Sequence, residues 1–163
     1  MDELVKKISS YHIFNYLIPG VIAAFLIDSL FKFHFRFVQE NMVVGIFFYY
    51  FLGSIISRVG SLISPAIDFV FMIRKIDYKS YINAEKNDSK IEILSEINNM
   101  YRSFYSLFFI LNIVNVKEII NHKSVDVFIT TLLISSFFIY VCSYKKQTRF
   151  IVKRVENHLE NNQ

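Results

Sequence analysis

The sequence predicts an all-α membrane protein with four transmembrane helices, of which the third and fourth extend into a small cytoplasmic helical domain. Its composition is apolar: 53% of the 163 residues are hydrophobic, only 20% are charged, and the mean hydropathy is +0.36. Four apolar runs are separated by polar segments, as expected for successive crossings of a bilayer. A chain of this length forms one structural unit, with no room for a separate enzyme domain of ordinary size.

The first apolar run, residues 13–31, predicts a transmembrane helix that is kinked at Pro19 and Gly20. Its only charged residue is Asp28. A secretory signal peptide is the alternative, because basic residues precede the run. However, the run is longer than the usual apolar region of such a peptide, and no small-x-small cleavage site follows it.

The second run, residues 42–64, is uncharged from Met42 to Ser57 and then carries Arg58. Small residues recur along it at helical spacing, which predicts close contact with neighbouring helices in lipid. The residues predicted to pack helices in this way are Gly53, Ser57, Gly60 and Ser61. Pro65 is predicted to end the helix, since proline removes a backbone N–H and clashes with the preceding turn.

The third and fourth runs, residues 103–120 and 126–144, each join a charged segment without a break. The third is short enough to be a buried core helix, yet it continues apolar to Ile120 and the orientation argument below requires a span. Residues 65–102 and 145–163 are predicted to form the cytoplasmic helical part, with a capping box at Ser89 and Glu92. Helices over residues 90–120 and 126–160 would be roughly 45 and 50 Å long, which exceeds a hydrocarbon layer of about 30 Å.

The distribution of Lys and Arg predicts the orientation. The chain has 18 such residues. Four spans place only Lys32, Arg36, Lys117 and Lys123 on the side away from the termini. Because cytoplasmic loops carry the excess of positive charge, both termini are predicted to be cytoplasmic. The single cysteine, Cys142, leaves no intrachain disulfide and fits an inner-membrane protein.

Two charged residues within the spans are candidates for a pore or a gate, Asp28 and Arg58. Charged side chains in a span usually face the bundle interior, a water-filled cavity or a partner. For Arg58 the available partners are His12, Asn15 and Asp68, and the alternative is that it reaches the inner headgroup boundary. Asp28 either pairs with Lys32 at a spacing of four residues or forms a cation-attracting ring at the mouth of an oligomeric pore.

Polar and basic residues of the predicted cytoplasmic part are candidates for binding a ligand or partner. They are Arg74, Lys75, Asn98, Asn99, Arg102, Lys145, Lys146 and Arg149. Positive-inside anchoring beside anionic lipid explains the basic ones equally well. The four histidines have no ligand spacing, so the sequence predicts no metal site and no cofactor. No nucleophile pattern or phosphate-binding loop is present, and enzymatic activity is not predicted.

The segments IFNYLIPG, GSIISRVGSLI and NNMYR, taken together over residues 13–102, resemble small multi-pass membrane proteins encoded beside bacterial anti-phage defence genes. Examples are the membrane subunit of Kiwa-type systems and the tetrameric transmembrane effector of Hailong-type systems. The resemblance implies an inner-membrane homo-oligomer such as a tetramer. It further implies that a partner protein or a nucleotide-derived ligand holds the cytoplasmic side until infection.

These observations lead to two hypotheses. The first is a homo-oligomeric inner-membrane effector of anti-phage defence that forms a pore or ion channel, gated through its cytoplasmic helices by a ligand or partner protein. The second is a non-conducting membrane sensor or scaffold that recruits a cytosolic partner. The first depends on residues within the spans, and the second on the face of the cytoplasmic helices.

Overall fold

The computed structural model describes residues 11–31, 33–122 and 126–160, and this part of the chain is helical with no β-strand. One π-helical turn, Ile13–Leu17, leads into α1 (Ile18–Leu30). It is followed by α2 (Met42–Val70), the short α3 (Tyr78–Asn87), α4 (Ser89–His122) and α5 (Val127–Glu160). The first turn with α1, together with α2, α4 and α5, gives four helices that are long and apolar enough to cross a membrane. The prediction of an all-α membrane protein with four candidate spans is therefore confirmed.

The first span departs from regular α-helical geometry just before the predicted kink at Pro19 and Gly20. A π-helical turn precedes Pro19, whose ring nitrogen lacks the hydrogen needed for a regular α-helical bond. This span packs closely against α2, because two glycines bring the backbones together. A Cβ atom at Gly20 would stand 1.8 Å from the carbonyl oxygen of Tyr49, and one at Gly53 would stand 1.7 Å from that of Tyr16.

The helix α2 does not end at Pro65, contrary to the prediction, but continues to Val70. Proline removes only one hydrogen bond here, the one to the carbonyl of Ser61, and Ser61 lies on the exposed side of the helix. On the opposite side, Ile63 and Ile67 pack against a core that includes Val141, and this contact holds the last turns in place. The boundary predicted at residue 64 therefore falls inside a helix.

The helices α4 and α5 form a long antiparallel pair. Each has 34 residues, so each is about 51 Å long. Near one end, the Asn115 amide donates to the Thr130 hydroxyl at 3.0 Å. Near the other end, the Gln147 amide donates to the carbonyl of Leu94 at 3.0 Å. The predicted continuity of both helices through their apolar and charged segments is confirmed.

The short helix α3 packs between the first turns of α4 and the last turns of α5. Ala84, Ile91, Ile151 and Val155 form the buried core of this cluster, with Leu159 packed against it. The helices of this cluster lie where the sequence predicts a helical part outside the spans. The predicted Ser89 capping box is replaced by a cap at Asp88, whose carboxylate accepts a hydrogen bond from the Lys90 N–H at 3.1 Å.

Candidate functional site

Arg58 is exposed on α2 and has no ion-pair partner among the described residues. The partners that the sequence offered are engaged elsewhere. The ring of His12 lies 3.0 Å from the Tyr50 hydroxyl, and Asp68 pairs with Lys75. Asn15 donates to a backbone carbonyl of its own helix. None of the three pairs with Arg58 in the described part of the chain, which leaves the alternative that its side chain reaches the headgroup boundary.

The surface around Arg58 is mostly apolar, with the exposed Ser61 as a polar neighbour. On the same side of α2, Phe51 is 60% exposed, Ile55 43% and Leu62 79%. Arg58 lies roughly 24 Å along the helix from Met42, which is within a hydrocarbon layer of about 30 Å. A guanidinium on such a surface carries a substantial free-energy penalty unless it reaches the headgroups or a polar neighbour outside this copy of the chain.

The small residues of α2 lie against helices of the same chain. Gly53, Ser57, Gly60 and Ser64 are buried, and the backbone of Gly60 lies close to α4 at Arg102. Ser61 was predicted to join this packing, but it is exposed. The reason is geometric: each step of four residues rotates a helix by about 40° beyond a full turn, so two steps from Gly53 leave the contact.

A polar network ties the end of α2 to α5. The Asp68 carboxylate pairs with the Lys75 ammonium, and the Ser64 hydroxyl lies 3.3 Å from both Asp68 and the Tyr144 hydroxyl. Burial opposes the charged form of Lys75, but the Asp68 carboxylate and Tyr144 outweigh it, so the pKa of Lys75 is raised. One carboxylate oxygen of Asp68 is buried without a hydrogen-bond partner.

A cavity of about 190 Å³ lies beside this network, between α3, α4 and α5. It brings together two of the residues predicted to bind a ligand, Lys75 and Asn98. The Thr148 hydroxyl donates to the side-chain amide oxygen of Asn98 at 3.3 Å. Burial raises the pKa of Tyr81, which also lines the cavity, to about 12. The rest of the lining is Ile76, Tyr78, Ser95, Ile151 and Val152.

The other predicted ligand-binding residues do not join this cavity. Lys145 donates to the carbonyl of Phe71 at 2.7 Å, which fixes the end of α2 to α5. Arg74 pairs with Glu156 at 3.0 Å. Asn99 makes a hydrogen bond of 3.5 Å to a tyrosine hydroxyl of the first turns.

The remaining three basic or polar candidates are dispersed. Arg102 lies against Gly60, and its Nε is buried without a hydrogen-bond partner. The Lys146 ammonium lies 5.9 Å from the centre of the Phe150 ring. Arg149 is exposed on the same helix. The eight candidates therefore form several separate contacts, and only two of them line one cavity.

Asp28 anchors the connection between α1 and α2. Its two carboxylate oxygens accept hydrogen bonds from the backbone N–H groups of Phe37 and Val38, each at 2.8 Å. The predicted pairing with Lys32 lies outside the described residues. The sequence did not reveal this role, since nothing in a residue pattern identifies unpaired backbone donors nine and ten residues away.

Sequence reasoning also missed the ion pair that closes the α3 cluster. The Arg154 guanidinium donates to the Asp88 carboxylate at 2.6 Å, and this hydrogen bond lowers the pKa of Asp88. Gln147 and Thr148 were missed as well, although both are polar residues on the buried face of α5. Polar residues in phase with Tyr144 and Ile151 were the signal that pointed to them.

The described residues contain no group of three or more His, Cys, Asp or Glu side chains that could hold a metal ion. Comparison of the chain with protein-family models, curated proteins and solved structures finds no match.

Proposed function

We propose that this chain is a homo-oligomeric inner-membrane effector of bacterial anti-phage defence, which assembles into a pore or ion channel. The anti-phage role comes from the resemblance of IFNYLIPG, GSIISRVGSLI and NNMYR to membrane proteins of defence systems. The observation that carries the pore is Arg58, a charge on the lateral surface of a candidate span without an ion-pair partner among the described residues. Assembly would move this charge from lipid to a shared polar interior.

The packing within one copy supports conduction by an assembly and not by a single chain. Two polar side chains in the candidate spans bond to backbone carbonyls of their own chain. Ser106 donates to the carbonyl of Ile56 at 2.7 Å, and Asn112 donates to the carbonyl of Leu133 at 3.1 Å. Leu107 and Leu111 fill the core between them. A conducting path therefore requires surfaces that one copy leaves exposed, and α2 around Arg58 is such a surface.

Gating in this proposal runs through α4 and α5. Both helices are continuous from the cavity at Lys75 and Asn98 to the opposite end of the bundle. The excess of Lys and Arg predicts that this cavity faces the cytoplasm. A ligand or partner protein that binds there would shift α4 and α5 as rigid units. The Lys145 contact to α2 would carry that shift to the helix that bears Arg58.

The test is the membrane potential of bacterial cells that express the protein, read with a potential-sensitive dye. We expect rapid depolarisation by the wild type and its loss in Arg58→Ala at equal membrane abundance. Lys117→Ala, which removes an exposed charge from α4, is the matched control and should depolarise like the wild type. Depolarisation that persists unchanged in Arg58→Ala would refute a role for this residue in the path.

The second candidate is a non-conducting membrane sensor or scaffold. It is favoured by the exposed basic surface of α5, where Lys146, Arg149 and Lys153 surround the half-exposed Phe150 ring. Under this proposal Arg149→Glu would abolish the defence activity of the cells while Arg58→Ala would leave it intact. The pore proposal gives the opposite order of effects.

A further inference from the structure

The connection between α1 and α2 forms an aromatic cavity of about 330 Å³ around Asp28. Four phenylalanine residues contribute to its lining, together with Asp28 and Arg36. Phe25, Phe33 and Phe35 are exposed, whereas Phe31 is only 6% exposed and also belongs to the core. A cavity of this size is at the small end of the range of about 300–1,000 Å³ that is usual for small-molecule sites.

Hydrogen bonds and ring contacts within the chain hold this cavity in shape. The Asp28 carboxylate holds the connection through two backbone N–H groups at 2.8 Å. The ring of Phe37 stands edge-on to that of Phe35, with centroids 5.1 Å apart, and lies 6.2 Å from that of Phe33. The N–H of Gln39 donates to the Tyr49 hydroxyl at 2.9 Å, which fixes the far end of the connection to α2.

The lining has the chemistry that recognises an ammonium group. Aromatic faces attract a cation placed within about 6 Å of the ring centre, and a cage of rings is the usual site for alkylated ammonium ligands. Each oxygen of Asp28 accepts one backbone hydrogen bond and keeps a second lone pair for another donor. Among the described residues, no lysine or arginine stacks on any of these four rings.

Arg36 supplies the opposite charge at the rim of the same cavity. Its only ion pair among the described residues is with Glu40 at 3.5 Å, and both side chains are highly exposed, at 77% and 91%. Such a pair in water is weak, so the guanidinium is available to an anion. Guanidinium groups are well suited to phosphate, because their N–H groups match two of its oxygens.

The position of the cavity favours a lipid headgroup as its ligand. It lies where α1 ends at Leu30 and α2 begins at Met42, at the end of two candidate spans. Phe25 and Met42 are exposed on the flanking helices, as expected for lipid-facing residues. If these two helices cross the bilayer, the headgroups lie at the level of this cavity.

We propose that this cavity binds the headgroup of a zwitterionic phospholipid, with the ammonium among the phenylalanine rings beside Asp28 and the phosphate on Arg36. The site fixes a lipid at the end of the first two spans, and it is independent of the pore and of Arg58. Because the phosphate is common to most phospholipids, selectivity comes from the ammonium. An anionic phospholipid satisfies Arg36 alone.

The experiment is native mass spectrometry of the purified full-length protein. It is incubated with phosphatidylethanolamine or phosphatidylglycerol of identical acyl chains, and the retained lipid is counted. We expect the wild type to retain phosphatidylethanolamine on the order of tenfold better, the factor that one cation–π or charge contact supplies. Phe35→Ala and Asp28→Asn should lose this preference, whereas Arg36→Met should weaken retention of both lipids.

The controls separate the headgroup from other causes. Phe47→Ala removes an exposed ring from α2 outside the cavity and should keep the preference. Because Asp28 also holds the connection together, Phe35→Ala provides the test that does not depend on its hydrogen bonds. Equal retention of the two lipids by the wild type, or an unchanged preference in Phe35→Ala, would overturn the proposal. Displacement of the lipid by an equal concentration of soluble phosphoethanolamine would show that the ligand is a free zwitterion and would overturn the assignment to lipid.

Discussion

Replacement of Gly53 by alanine tests a close backbone contact between the first span and α2. A Cβ atom at this position would stand 1.7 Å from the carbonyl oxygen of Tyr16, and real Cβ atoms essentially never come within 3.0 Å of such an atom. The first span and α2 must therefore separate by about 1.3 Å at this point, because no side-chain rotation moves a backbone carbonyl.

The magnitude follows from the packing that this separation disturbs. A radial gap of 0.5–1 Å already removes roughly a quarter to a half of the dispersion energy of a contact. Ala23 and Ile56, both 2% exposed, belong to the core between these helices. Overpacking usually lowers the free energy of unfolding by about 1–3 kcal/mol, and a clash with backbone belongs at the upper end, about 3 kcal/mol.

The assay is unfolding of the purified protein in mixed micelles by increasing mole fractions of a denaturing detergent, followed by far-UV circular dichroism. Gly45→Ala is the matched control in the same helix, since an added Cβ there meets only the side chain of Tyr49, at 3.1 Å. Alanine favours a helix over glycine by about 1 kcal/mol, which offsets the small shift that the Tyr49 side chain must make, so the control should lower the free energy of unfolding far less than Gly53→Ala does. Equal unfolding free energies for the two variants would refute the contact between Gly53 and Tyr16.

Three further predictions use the same micelle assay. Ser106→Ala should lower the free energy of unfolding by about 1 kcal/mol, because it leaves the carbonyl of Ile56 without its buried donor. The hydrogen bond with Arg154 lowers the pKa of Asp88, so the contribution of Asp88 to stability is present above its ordinary pKa of 3.8 and is lost as the pH falls through the lower folded value. Arg154→Met should remove this acid sensitivity of the unfolding free energy. An unchanged pH profile in that variant would contradict the prediction. Met72 has a φ of 50°, in the left-handed region that glycine adopts without strain and β-branched residues avoid. Met72→Gly should therefore stabilise the protein by about 1 kcal/mol, and Met72→Ile should destabilise it. The reverse order of stabilities would contradict this account.

The sequence was most informative about the helices themselves. Long apolar runs and the absence of breakers between residues 89 and 120 predicted that α4 crosses from the charged segment into the span without interruption, as observed. Pro65 shows the limit of such reasoning. A local rule for proline predicted the end of α2, but contacts of Ile63 and Ile67 with distant residues outweigh the loss of one hydrogen bond.

The candidate site was less predictable, because its partners are far apart in the chain or belong to the backbone. The network of Ser64 and Tyr144 joins residues that lie 80 positions apart. Asp28 bonds to backbone N–H groups, and these leave no mark on a sequence. For Arg58 the sequence identified the residue but not its neighbours, since its own chain offers several polar groups and none of them pairs with it among the described residues.

The way these polar groups are committed bears directly on assembly. Inside the bundle, Ser106, Asn112 and Asn115 all donate to groups of the same chain. Among the described residues, Asn15, Asp68, Arg102 and Ser103 each keep one buried polar atom without a hydrogen-bond partner. Arg58 differs from them because it carries its charge on the lateral surface, and no rearrangement of exposed side chains moves its Cα from that face of α2. A second copy that presents polar groups to this face would lower the free energy of the charge, whereas an isolated copy must rely on the headgroups. In the proposed assembly, the charge that is costly for a single chain in lipid would thus favour association.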